Sequence, residues 1–162
     1  MLIGKRETVT KLVGNFPFQD QSKVSSLAEG IEEQDDGHRR PMGKGEMLTR
    51  ILIDLKARER DIEGAALVST EGFVIAAALP AHLEEDHVAA ISAVVLSLGE
   101  RITTELAKGT LEQIFVRGST GYVFLTQVGS DSLLTIITNL DVKLGMVFLD
   151  AKRTVAELQK IL

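Results

Sequence analysis

Three histidines and no cysteine narrow the chemistry open to this chain of 162 residues before its fold is considered. Without Cys there can be no disulfide framework, thiolate metal site or thiol nucleophile, a usage that fits a reducing compartment. Two of the histidines bracket a run of acids, His82-Leu83-Glu84-Glu85-Asp86-His87. The run lies one residue away from the H-x-x-E-H spacing that sets zinc ligands on a helix, and does not match it. Its acids are accounted for by a helix start, where free amides and the helix dipole favour negative charge, and His82 falls in the loop before it. No metal site is expected. Gly43-Lys44-Gly45-Glu46 contains the Gly-Lys pair of a phosphate loop, but the upstream glycine, the following Ser or Thr and a preceding strand are all missing. No G-x-S-x-G elbow is present, and no nucleophile is arranged with any of the histidines. The expectation is therefore no catalytic residue, no cofactor and no enzyme.

Composition narrows the partners as well. Hydrophobic residues make up 44% and charged residues 25%, which suits a folded globular domain rather than a rod or a disordered chain. A formal net charge of -5 opposes sequence-independent binding to a phosphate backbone, and aromatics at 4%, with no Trp and one Tyr, leave little to stack bases on. Nucleic acid is not an expected partner. The start, Met1-Leu2-Ile3-Gly4-Lys5-Arg6-Glu7, lacks the apolar core of a signal peptide. The longest apolar stretch, residues 88 to 98, is broken by Ser92 and Ser97 and is far short of the roughly 20 residues that cross a bilayer. A cytoplasmic protein without a membrane span is expected.

Periodicity supplies the elements that would carry any site. Residues 1 to 43 hold Pro17, Pro41 and a mixed-charge run from Glu32 to Arg40, and read as a mobile extension with at most a short helix over 23 to 33. The domain proper is expected over 44 to 162. Met47, Leu48, Ile51, Leu52 and Leu55 form one stripe of a first amphipathic helix, which Gly64 is expected to stop. Residues 65 to 69 and 73 to 78 read as a hairpin around Thr70-Glu71-Gly72. A long second helix is predicted over 84 to 108. Strands are predicted over 111 to 117, 121 to 128 and 133 to 139, and a last helix from Leu144 onwards. The order is α, β, β, α, β, β, β, α.

In the second helix, steps of about 100° gather His87, Val88, Ile91, Val94, Val95, Leu98, Ile102 and Leu106 on one broad face, predicted to cover the sheet. The opposite side carries Ala89, Ala93, Leu96, Ser97 and Glu100, with Arg101 on the flank. It holds too little charge for a face left to water, and its small side chains would let two helix axes approach. Those six residues are the predicted dimer or partner interface. The alternative is that the alanines only favour helix formation on a solvated face. Charges on the first helix interleave in sign, as on a solvated surface.

The residues that fill this framework resemble the roadblock family. The resemblance lies in Ile62-Glu63-Gly64-Ala65-Ala66-Leu67-Val68-Ser69-Thr70-Glu71-Gly72-Phe73-Val74-Ile75-Ala76 as the opening hairpin. It continues in residues 109 to 118 and 121 to 129 as the third and fourth strands, and in Leu144-Gly145 with Ala151-Lys152-Arg153 at the start of the last helix. It covers residues 45 to 162, and the extension has no counterpart in the minimal family domain. The resemblance implies an α+β fold: a five-stranded antiparallel sheet with the long second helix on one face and the first and last helices on the other. It also implies a non-catalytic homodimer serving as a platform for a small Ras-like GTPase, in some members a GTPase-activating partner, in others a dynein-associated light chain. A ligand-sensing module and a subunit of a motor or structural assembly are the competing functions. Arg101 and Arg117 are the residues to test as catalytic fingers toward a GTPase, with surface charge as their simpler role.

Overall fold

The computed structural model describes residues 41–162; most of the extension, and the helix expected over 23 to 33, lie outside the described residues. Helix α1 spans Lys44–Arg58. At its start the Glu46 carboxylate accepts a hydrogen bond of 3.0 Å from the Gly43 amide, the acidic half of a capping box, so the Gly-Lys pair is a helix start. Leu48, Leu52 and Leu55 line the buried stripe. The helix ends well before Gly64, because pairing with a neighbouring strand already begins at Ile62. Gly64 lies within β1, where a Cβ would come 2.9 Å from the Pro80 ring.

The strands are β1 Ile62–Ser69, β2 Val74–Ala78, β3 Gln113–Arg117, β4 Gly121–Val128 and β5 Ser132–Asn139. They form one sheet in the order β2-β1-β5-β4-β3, antiparallel at every pairing. Thus β5 is the central strand, flanked by β1 and β4, and β2 and β3 are the edges. Gly72 turns the β1–β2 hairpin at φ 91°, a conformation glycine adopts without steric cost.

Alternation along β1 divides the core. Ala65 and Leu67 join Leu52, Leu55, Phe124, Leu134, Ile136, Val147, Ala151 and Leu158 in one apolar cluster. Ala66 and Val68 join Val88, Ala89, Leu96, Leu125 and Leu133 in another. The first cluster is roofed by α1 and by α3, Leu144–Gln159; the second by α2, Glu85–Glu105. The fold is the α+β arrangement that the family resemblance implies, a five-stranded antiparallel sheet with α2 alone on one face and α1 and α3 on the other. None of the described helices is long and apolar enough to cross a membrane.

Candidate interaction surface

The sheet-facing side of α2 combines three small residues with one Val and one Leu. Its buried positions are Val88, Ala89, Ser92, Leu96 and Gly99. A Cβ at Gly99 would come 2.7 Å from Ile114 Cδ1 of β3, so the helix axis lies close to the sheet there. The hairpin turn packs near the N-terminal half of the helix: the position of a Cβ at Gly72 is 3.4 Å from Ala93 Cβ and 3.6 Å from Ala90 Cα.

This reverses the orientation expected from periodicity. Ala89 and Leu96, predicted at a dimer interface, are 0% and 4% exposed within the chain's own core. Ala93 is half-buried beside the hairpin turn, whereas Ser97, Glu100 and Arg101 do face outward. Glu100 Oε1 accepts a hydrogen bond of 3.1 Å from Gln127 Nε2 of β4, and Arg101 Nε is 2.6 Å from Glu105 Oε1. Of the predicted core stripe only Val88 is buried and Val95 half-buried. Ile91, Val94, Leu98, Ile102 and Leu106 stand exposed, Val94 at 69% and Leu98 at 56%. The physical reason is volume. Here the close approach to β3 leaves no room for even a Cβ at Gly99, so Ala89, Ser92 and Gly99 lie beneath the axis with Val88 and Leu96, and the other large aliphatic residues are displaced outward.

The result is a continuous apolar ridge along α2, with Ile91, Val94, Leu98 and Ile102 adjacent at helical spacing. Beside it, β3 is an edge strand with one row of backbone amides and carbonyls unpaired by the sheet. Strand alternation puts Val116, itself exposed, on the same face as Ile114 and hence on the α2 side. Transfer of a Val, Leu or Ile side chain from full exposure to burial is worth about 1.5–3 kcal/mol, so such a ridge favours an apolar surface over water. The sequence shows two arcs, one richer in Ala, Ser and Gly and one in large aliphatics, but not which of them faces the sheet.

The other groups singled out from the sequence do not assemble into a reaction centre. His82 and His87 are exposed, and among the described residues no three His, Asp or Glu side chains are grouped to hold a metal ion. Arg101 is on α2, whereas Arg117 packs 5.8 Å from the centre of the Tyr122 ring, on the face roofed by α1 and α3. The two candidate fingers thus lie on opposite sides of the sheet. At the hairpin turn, a hydrogen bond from its own backbone amide, joined by those of the Ser69 and Thr70 side chains, holds the exposed Glu71 carboxyl below the usual glutamate range.

The family model described as Roadblock/LC7 domain matches residues 48–138. The uncharacterized protein MJ1340 of Methanocaldococcus jannaschii is 30% identical over 113 residues, covering 70% of this chain and 97% of its own length. Among solved structures, Myxococcus xanthus MglB superposes with a TM-score of 0.67 at 21% identity, over 75% of this chain and 92% of that one. A Roadblock/LC7 domain from Streptomyces avermitilis gives a TM-score of 0.66 at 20% identity, over 69% and 94% respectively. At these identities the two structures establish the shared fold.

Proposed function

Because the chain belongs to the Roadblock/LC7 domain family, we propose that it is a non-catalytic, homodimeric scaffold that binds and regulates a small Ras-like GTPase in the cytoplasm. The observation that carries this reading is the exposed ridge Ile91, Val94, Leu98 and Ile102 beside the open edge of β3. A second copy offers the matching surface by two-fold symmetry: apolar ridge against ridge, and β3 edge against β3 edge, with the unpaired backbone groups satisfied across the seam. Association costs about 4–15 kcal/mol of lost freedom, so a ridge of one or two aliphatics would not suffice, whereas four from each copy plus the strand edges reach the required scale. The outward polar flank of α2, with Ser97, Glu100 and Arg101, then forms the rim open to the GTPase. In this reading residues 44 to 162 are the domain and 1 to 43 an extension to it, so a chain beginning at residue 44 should melt at the same temperature as the longer one.

Light scattering on the 162-residue chain should give twice the monomer mass. Leu98→Asp, an exposed change that buries a carboxylate only in the dimer, should give a monomer with an unchanged circular dichroism spectrum. Ala93→Arg is a poorer probe, because Ala93 packs near the chain's own hairpin turn. The GTPase arm uses purified Ras-like GTPases encoded in the same genome, loaded with GDP or a non-hydrolysable GTP analogue and passed over the immobilised dimer. A monomeric parent chain refutes the dimer. A dimer that retains none of these GTPases in either state refutes the GTPase reading alone.

A further inference from the structure

The side of the sheet opposite α2 carries a second surface. Four of the five aromatic residues within 41–162 meet there: Phe115 of β3, Tyr122 and Phe124 of β4, and Phe148 of α3. Phe115 stacks on Tyr122 with ring centres 5.3 Å apart and lies 5.1 Å from Phe124; Phe148 meets Phe124 edge-on at 5.3 Å and Phe115 at 6.4 Å. Phe124 is core, but Phe115 is 43% exposed and Phe148 39%. The two partly exposed rings are therefore held by two buried neighbours, which costs little further side-chain entropy when a partner arrives.

Two cations lie beside these rings. Arg117 lies over Tyr122, and Lys152 is exposed one turn beyond Phe148 on the same flank of α3. Neither forms a salt bridge among the described residues, whereas Arg50, Arg58, Arg101 and Arg153 each do. In a chain of net charge -5, two uncompensated cations beside an exposed aromatic pair concentrate positive potential at one apolar place.

We infer that the Phe115–Phe148 surface docks a protein segment in which an acidic side chain accompanies an aromatic or aliphatic anchor. The anchor covers the exposed parts of Phe115 and Phe148, and the carboxylate meets Arg117 or Lys152. Nucleic acid fits less well, because Phe115 and Tyr122 spend ring faces on each other and two cations are too few to hold a phosphate backbone. The inference does not rest on the α2 reading. In the dimer proposed above Phe115 would lie beside the β3 seam with its ring on the side of the sheet away from α2, so the protein would be bivalent, engaging one partner on each side of the sheet.

The test is fluorescence anisotropy with the 162-residue chain and three probes: a labelled twelve-residue peptide alternating Asp with Leu and Phe, its Asn-for-Asp counterpart, and a single-stranded oligothymidylate of twelve nucleotides. Saturable binding of the acidic peptide is expected, weakened about tenfold by Phe115→Ser and by Arg117→Glu or Lys152→Glu, the change that loss of one central contact produces. Arg50→Glu, the same charge reversal on α1, should leave it unchanged. Circular dichroism melts of each variant separate lost docking from lost folding, and the two exposed charge reversals keep the test valid should Phe115→Ser unfold. Equal binding of the Asn peptide, tighter binding of the oligonucleotide, or an acidic peptide whose binding none of the three variants weakens would overturn the inference.

Discussion

Ser92 of α2 and Thr135 of β5 share a buried hydrogen bond, with their hydroxyl oxygens 2.8 Å apart. Ser92 Oγ also donates to the Val88 carbonyl at 2.7 Å, so its single proton is committed and Thr135 is left as the donor between the two hydroxyls. A polar side chain that looked like an interruption of an apolar run is thus the point at which α2 is registered on the centre of the sheet. Ser92→Ala strands the Thr135 hydroxyl and should cost about 1–3 kcal/mol in urea denaturation. Ser92→Ala with Thr135→Val, which removes both groups, should cost less than the sum of the two single changes.

Gly99 governs how closely the same helix approaches β3. In an exposed helix interior, Gly→Ala gains roughly 0.5–1 kcal/mol. Here the new methyl would meet Ile114 Cδ1 at 2.7 Å and Leu111 Cδ2 at 3.1 Å. Overpacking costs about 1–3 kcal/mol, so Gly99→Ala should lower stability despite the better helix former. Adding Ile114→Val, which deletes the closest methyl, should restore most of the loss; a Gly99→Ala chain more stable than the parent would show that the contact yields freely.

The lowered Glu71 carboxyl makes the hairpin turn mildly sensitive to acid. Its folded value lies below the unfolded one, so its contribution is complete above the ordinary glutamate range and is lost as pH falls through the lowered folded value. The group is fully exposed, so the effect on global stability should be small. Carboxyl-carbon NMR should place the Glu71 midpoint below that of an unperturbed glutamate, and Ser69→Ala should move it upward by removing one of the hydrogen bonds that holds it down.

If a bound GTPase hydrolyses GTP faster on this scaffold, the acceleration should come from repositioning the GTPase's own groups. Loss of an arginine finger typically costs on the order of 10³–10⁵ in rate. Arg101 is held by Glu105, and Arg117 lies over Tyr122 on the side away from α2. Stimulated turnover should therefore survive Arg101→Ala and Arg117→Ala with modest loss, measured by single-turnover phosphate release. A thousandfold fall for either, with binding intact, would identify a finger.

How much was legible in the sequence varies by element. The order α, β, β, α, β, β, β, α follows from local periodicity and turn chemistry, because a strand's two-residue alternation and a helix's 3.6-residue repeat are properties of consecutive residues. β4 runs over the expected residues 121 to 128, and β5 starts one residue earlier than expected. Ends set by distant pairing were less legible: Ile62 is drawn into the sheet by Thr138, so α1 stops before Gly64.

The orientation of α2 was decided by tertiary structure alone. Both arcs of that helix are apolar, so periodicity cannot say which one faces the sheet, and counting hydrophobic bulk selects the wrong one. What selects the arc is fit against residues far away in sequence: Gly99 on Ile114, Ser92 on Thr135, and Ala89 and Ala93 near the hairpin turn. The aromatic cluster depends on the same kind of information. Tyr122 and Phe124 meet Phe115 through the antiparallel register of β3 and β4, and Phe148 arrives from α3. Sequence by itself determined the elements, their order and the family resemblance. The tertiary structure determined which side of each element is left for a partner, because that side is what remains after the close contacts of the core have been made.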